Sequence, residues 1–497
     1  MKGKSIGTVI VAEETPNPSE FSFVLTKSEN DFRLQKGMYV TIQSEEGEII
    51  ASVLNVFKTN RYFSSPSAVK AYETSGRTLA SIFPVDSWEY IIAQAKPLGI
   101  FTEIGIKRLL YPVSPGDTVC VPDTSTLSKF LGLDPENGLF LGKIAHHDLE
   151  VKVNLTRFLQ KHAALLAISG AGKSYTVSII LEELLSRSQE QGRVAVILFD
   201  VHGEYKGLSD DSSEFKDKIE FFPGAFIQFA THKLTAGQFA SFQPQMSAVQ
   251  VRELYRILGK LYITNTKQGK SYLIKDIIEK IENDENINQR SKEALIGWFY
   301  TLETTHLFGQ VEKPSLEEDI KAGKLLIVDL SDFTSLRKKQ LIVSYFLTQL
   351  FDLRKKGKIP PTTIIVEEAH QFAPESSINM GLSRPIIETI AREGRKFFIS
   401  LVLISQRPVK LSTTALSQCN THLIMRIVNP YDLDFIGRSS EGIDRETMDS
   451  ITTLGIGEAI IVGNAVNHPI FVSIRKRKTN ALQTMDLEES AKAYDTD

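Results

Sequence analysis

The stretch LLAISGAGKSYT, residues 165–176, holds residue types that can cradle a chain of phosphates. Against the pattern G-x-x-x-x-G-K-[ST], Gly172, Lys173 and Ser174 fall in place, and Ala167 stands where the first glycine is usual. Such a loop works through backbone N–H groups at a helix N-terminus, a lysine that reaches the β- and γ-phosphates, and a hydroxyl that ligates Mg2+. Ser169, Gly170, Ala171, Gly172, Lys173, Ser174 and Tyr175 are therefore the candidate nucleotide-binding residues. Ala167 is expected at the end of the preceding strand, where a methyl is tolerated because Gly170 and Gly172 carry the turn. The Lys173 ammonium is expected to serve phosphates and not the core, so its removal should leave the fold intact.

Two more segments supply chemistry. TTIIVEEAH, residues 362–370, is an apolar run ending in Glu367 and Glu368. Phosphoanhydride hydrolysis needs one carboxylate to hold the metal's water shell and a second to polarise the attacking water. Glu367 takes the first role, through a water, although Asp is usual there, and Glu368 takes the second; capping of the next helix is the competing use. Asp200, ending VAVILFD, is a rival metal ligand. In LVLISQRP an apolar strand ends in Gln406, placed to sense a γ-phosphate if its strand lies between the P-loop strand and the twin-glutamate strand. Upstream, ETIAREGRKFF offers Arg392 and Arg395, which at i and i+3 can project together, and Lys396. One guanidinium donated from a neighbouring subunit would act as an arginine finger; complementing a helix dipole is the plainer role.

These residues need elements to position them. ALLAI (164–168), VAVILFD (194–200), LLIVDL (325–330), TTIIVEE (362–368) and FFISLVLIS (397–405) are near-continuous apolar runs, as in parallel strands covered on both faces. They alternate with helical patterns, so an α/β sheet is expected, with the loop between a strand and the amphipathic helix YTVSIILEELL. Residues 233–310 read as a helical insertion. Ser247 and Gln250 stand at capping-box spacing there, and Leu273, Ile274, Ile277, Ile278 and Ile281 form one stripe. Before residue 145 the pattern is different: MYVTIQSEEGEIIASVLNV (38–56) is a hairpin turning at Glu45 to Gly47, and YPVSPGDTVCVPD adds a punctuated strand. A small β-barrel is expected. RKRK at 475–478 precedes an acidic, helix-compatible end, MDLEESAKAY, and a solvated tail is one reading of both.

Composition bounds the partners. At 497 residues the chain needs more than one core, and its two cysteines, Cys120 and Cys419, give no disulfide framework, which fits the cytoplasm. No apolar run approaches the ~18 residues that span a bilayer. A net charge of -3 provides no global field for nucleic acid, so phosphate contacts must come from local groups. Lys396, Arg407 and Lys410 are the candidates for such contacts.

HAALLAISGAGKS, FDVHGEY, IIVEEAHQFAP, IAREGRKFF, ISQRPVKLSTTALSQCN and MRIVNPYD, in this order behind a β-barrel, resemble the HerA family of hexameric DNA translocases. The resemblance implies an N-terminal barrel with linker over 1–145, a RecA-like P-loop ATPase core over 146–232 and 311–478, the insertion over 233–310, and a tail over 479–497. It also implies ATP and Mg2+ as cofactors, and a homo-hexamer that pumps double-stranded DNA with a NurA-type nuclease docked on the barrel, in end resection. Carried over by motif, Lys173 and Ser174 bind ATP and Mg2+, Glu368 is the catalytic carboxylate, Gln406 the sensor, and Arg392 or Arg395 the finger. Ala167 and Glu367 depart from the family pattern and bear on hydrolysis rate, which leaves a nucleotide- and DNA-binding scaffold as an alternative. A conjugation- or secretion-type coupling ATPase is another, although transmembrane helices normally precede its core. A protein unfoldase shares the P-loop core and the ring.

Overall fold

The computed structural model describes residues 4–12, 15–26, 33–60, 89–210, 212–266, 271–376, 381–440 and 442–480, with a few isolated positions besides. Most of the acidic end MDLEESAKAY lies outside the described residues. The chain forms two compact units, one of residues 1–153 with 466–473 and one of residues 154–465 with 474–497.

In the first unit, β1 (Ser5–Ile10), β2 (Phe21–Leu25), β3 (Tyr39–Ser44), β4 (Gly47–Asn60), β5 (Glu89–Thr102), β6 (Gly105–Lys107) and β7 (Thr118–Cys120) form one antiparallel sheet. Its order is β2-β1-β7-β3-β4-β5-β6, and β2 also pairs with β5, so six strands close into a barrel and β6 is appended to β5. Closure removes both edges and encloses Phe21, Phe23, Val40, Ile42 and Val119. The 38–56 hairpin forms as its residues require, with Ser44 opposite Gly47. Further along, β9 (Glu150–Val153) pairs with β8 (Leu139–Ile144), and the strand Ile470–Ile474 flanks β8 on its other side.

The second unit is built on β10 (Ala163–Leu166), β11 (Ala195–Asp200), β12 (Ile219–Pro223), β15 (Leu325–Asp329), β16 (Thr362–Val366), β17 (Ile399–Ser405), β18 (Thr421–Ile424) and β19 (Glu458–Gly463); a short pair, β13 (Phe229–Ala230) and β14 (Phe308–Gly309), stands apart. The strand order is β12-β15-β11-β16-β17-β10-β18-β19, parallel except for β19. The five apolar runs of the sequence are thus five parallel strands, and β17 lies between β10 and β16 as the Gln406 reading requires. Helices Ala236–Phe242, Ala248–Thr266, Ile274–Glu282 and Gln289–Glu303 follow β13, with the Ser247–Gln250 capping pair and the isoleucine stripe in place. An aromatic cluster joins them to the core: Phe239 packs on Phe299 and Phe308, and Phe229 stacks 3.9 Å from Tyr345.

The helix after the phosphate loop, Lys173–Ser186, is not amphipathic. Val177, Ile179, Ile180, Leu181, Leu184 and Leu185 are all buried, and so is Glu182, at 0% exposure. The segment that begins at RKRK is the reason, because Arg475 and Thr479 lie against this helix while the Lys476 and Lys478 side chains stay in solvent. Arg475 pairs with Glu182 at 2.9 Å and with Glu183 at 2.8 Å, and the N–H groups of Lys478 and Thr479 donate to Glu182 at 2.8 and 2.9 Å. A carboxylate can be buried on an apolar helix only when it is paired and hydrogen-bonded in this way.

His162 fixes the start of β10. Its Nε2 donates to the Ala391 carbonyl at 3.0 Å, and its Nδ1 accepts the Leu401 N–H at 3.0 Å, so the neutral ring fills both bonds. Burial is the main cause that lowers its pKa from 6.5 to about 4. For a base with a depressed folded pKa, the stabilisation is present above 6.5 and lost as pH falls towards 4. The shift corresponds to roughly 3 kcal/mol. Urea denaturation between pH 7.5 and 4 is expected to show acid destabilisation in this window. His162→Asn, which tolerates the left-handed φ of +59°, should remove about one proton from the slope; an unchanged slope would exclude His162 as its source.

Candidate nucleotide site

The loop between β10 and the Lys173–Ser186 helix sits at the edge where the parallel strands end. Ala167 is fully buried and donates its N–H to the Ser405 carbonyl at 3.2 Å, so it continues the ladder onto β17 and leaves no gap for a glycine to fill. The turn falls on Gly170 (φ +79°) and Gly172 (φ +98°), and nothing stands within 4 Å of where a Cβ on Gly170 would be. The first turn of the helix is therefore open to a ligand through its backbone N–H groups.

The Lys173 ammonium is 2.7 Å from Glu368 Oε1. Both side chains are sequestered, the lysine 12% and the glutamate 4% exposed. Glu368 adopts a left-handed conformation, φ +45°, at the head of the short helix Ala369–Phe372, and makes no capping bond to it. A non-glycine residue held there implies that its surroundings determine its position. Its Oε2 is buried without a hydrogen-bond partner, while His370 Nδ1 is 3.3 Å away and His202 Nε2 is 4.0 Å from Oε1.

Glu367 faces the other way and is almost wholly buried. Tyr205 donates its hydroxyl to Oε1 at 2.9 Å, and the Val201 N–H donates to Oε2 at 3.2 Å. Burial first, then the charges of Asp200 and Glu204, push its carboxyl up to about 8. Asp200 is taken up by its own loop: Oδ1 accepts the N–H groups of His202, Gly203 and Glu204, and Oδ2 accepts that of Tyr205. This folds VHGEY so that Tyr205 is buried under Glu367 and Glu204 reaches the hydroxyl of Ser174. Glu204 and Tyr205 were legible only as part of FDVHGEY; His370 was the residue after EEA.

The residues fit a triphosphate with Mg2+. An open glycine turn faces the helix N-terminus, an ammonium stands beside it, and Ser174 with Glu204 offers oxygen ligands of the kind that hard cation takes. Mutually repelling buried acids and an unpartnered carboxylate oxygen are what a cation and a polarised water would relieve.

The structure separates the basic candidates. Arg392, Arg395 and Lys396 are exposed and precede Ile399, where β17 begins, whereas the phosphate loop lies where the strands end. Six steps of β17 at ~3.3 Å each put about 20 Å between these edges, so neither arginine reaches its own loop. Arg392 stands 3.8 Å from Glu388, one turn back on its own helix. Lys396 is therefore not grouped with Arg407 and Lys410, which are exposed just beyond the end of β17. Their charges, with that of Lys173, add to burial in lowering the pKa of His370, and Glu368 opposes them. Gln406 follows β17 directly, half-buried at the loop edge.

A family model described as the central domain of helicase HerA matches residues 139–350. The chain is 27% identical to a probable helicase of Methanocaldococcus jannaschii, over 95% of each chain. It is 26% identical to the DNA double-strand break repair helicase HerA of Pyrococcus furiosus, over 92% of this chain and 90% of that one. Among solved structures, VirB4 of Thermoanaerobacter pseudethanolicus superposes with a TM-score of 0.53 at 16% identity, covering 69% of this chain and 98% of VirB4. That likeness shows the fold of the P-loop ATPase core. The barrel, the ordered motifs and the strand order agree with this similarity to the HerA helicases.

Proposed function

We propose that this chain is an ATP-driven motor on double-stranded DNA, assembled as a homo-hexamer and working with a NurA-type nuclease in end resection and break repair. The observation that carries the reading is the Lys173–Glu368 pair. It brings the phosphate-binding cation and a strained, partly unsatisfied carboxylate to the same strand edge, and the names of the relatives supply the DNA. Lys173 and the loop N–H groups bind the phosphates, Ser174 and Glu367 hold Mg2+, Glu368 polarises the attacking water, and Gln406 senses the γ-phosphate. When bound, Mg2+ supplies charge neutralisation on the phosphate oxygens. Among the described residues no helix is long and apolar enough to cross a membrane, and we place the protein in the cytoplasm with its barrel facing the nuclease. Arg407 and Lys410 are the proposed DNA contacts. ATP turnover measured with and without duplex DNA tests this reading: stimulation supports the motor, and turnover indifferent to DNA overturns it in favour of a scaffold.

The position of Arg392 and Arg395 leads to an assembly prediction. Each can serve only a neighbour's site, so rings mixed from Lys173→Ala subunits and subunits lacking the finger arginine contain some interfaces with a sound loop and a sound arginine. Activity of the mixture is expected to exceed that of either parent. If mixed rings verified by mass are inactive for both arginines, neither acts across the boundary.

A further inference from the structure

Glu368 Oε2 is a buried carboxylate oxygen with no hydrogen-bond partner, and His370 Nδ1 stands 3.3 Å from it. The same Nδ1 is 3.2 Å from the Ser405 hydroxyl. Ser405 is fully buried and ends β17; its carbonyl accepts the N–H of Ala167 in the phosphate loop, and its hydroxyl accepts the N–H of Arg407 at 3.0 Å. One serine therefore touches the phosphate-loop strand, the first residue of the basic loop and, through a single imidazole, the carboxylate. We infer that His370 and Ser405 are a positioning pair that sets Glu368 Oε2 for its water and passes displacement of the 406–410 loop to it. This rests on the proposed role of Glu368.

The physical argument is one of supply. Lys173 occupies Oε1, so the orientation of Oε2 depends on what lies on its far side, and His370 is the polar group there. The imidazole cannot choose its own place; its Nδ1 is held by Ser405, whose hydroxyl is in turn held by the Arg407 amide. Neither residue touches the phosphate loop's glycines or Lys173, so nucleotide affinity does not depend on the pair. Misplacing a reacting group by about 1 Å costs up to ~100-fold in rate without any loss of binding.

The test uses full-length His370→Ala, His370→Asn, Ser405→Ala and the His370→Ala/Ser405→Ala double variant. ATP turnover, affinity for a fluorescent ATP analogue and melting temperature are measured on each, with Glu368→Gln as reference. Expected are a fall in kcat on the order of 10-fold or more for either alanine variant, analogue affinity within about twofold, partial rescue by Asn, whose amide can replace Nδ1–H, and a double variant no slower than the worse single one. Turnover near the parental value in His370→Ala, additive losses in the double variant, or losses that follow affinity or melting temperature would overturn the inference. If His370→Ala does not fold, Ser405→Ala and His370→Asn decide by the same criteria. An inactive Glu368→Gln beside a fully active His370→Ala removes the positioning role alone, whereas an active Glu368→Gln removes the catalytic assignment and the positioning role with it.

Discussion

Glu368→Gln is expected to bind ATP and to turn it over at least ~100-fold more slowly, the lower end of what a positioned general base contributes. The substitution keeps the volume and the left-handed backbone of residue 368, and its amide oxygen can still accept from Lys173 in place of Oε1, 2.7 Å away. What it removes is a carboxylate able to take a proton from water. Glu367→Gln is the informative control, because Glu367 is already held largely protonated near neutrality by burial and by Asp200 and Glu204. Hydrolysis and analogue binding measured on both variants check the assignment; a dead Glu367→Gln beside an active Glu368→Gln would exchange their roles.

Lys173→Ala is expected to abolish hydrolysis and, contrary to the reading from sequence, to lower stability as well. The ammonium is the counter-ion of a carboxylate only 4% exposed. Removing one partner of such a pair leaves an uncompensated charge, at a cost of about 3 kcal/mol. The double variant Lys173→Ala/Glu368→Gln should recover most of that stability and none of the turnover, since the amide needs no counter-ion. Denaturation midpoints of the three proteins separate the effects. A Lys173→Ala protein as stable as the parent would show that water reaches Glu368 and screens it.

Much of this arrangement could be read from the chain because apolar runs of five to nine residues report burial on both faces, and the order of motifs along them then fixes which strand ends carry chemistry. Ala167 and the Gln406 strand are such cases. What could not be read depended on distant partners. The Lys173–Ser186 helix looks amphipathic until a segment nearly 300 residues later covers its polar side, and RKRK looks solvated until Glu182 is seen to need it. Lys396 and Arg407 are 11 positions apart, yet an extended strand turns that separation into opposite edges of the sheet. Asp200 has the right type and place for a metal ligand, but four local N–H groups claim it first. His370 acquires meaning only beside Ser405, 35 residues away.

The closure of the 475–479 segment on Glu182 has a consequence for biosynthesis. The Thr479 amide lies 297 residues beyond the carboxylate it serves, and at ~5–20 residues per second a ribosome needs roughly 15 to 60 s to add that length. Throughout that interval the nascent helix holds an acid that lacks the guanidinium and the amides that neutralise it in the folded chain. The helix can seat against the sheet at full strength only after Arg475 and Thr479 have left the exit tunnel, so its packing is completed long after its own residues are made.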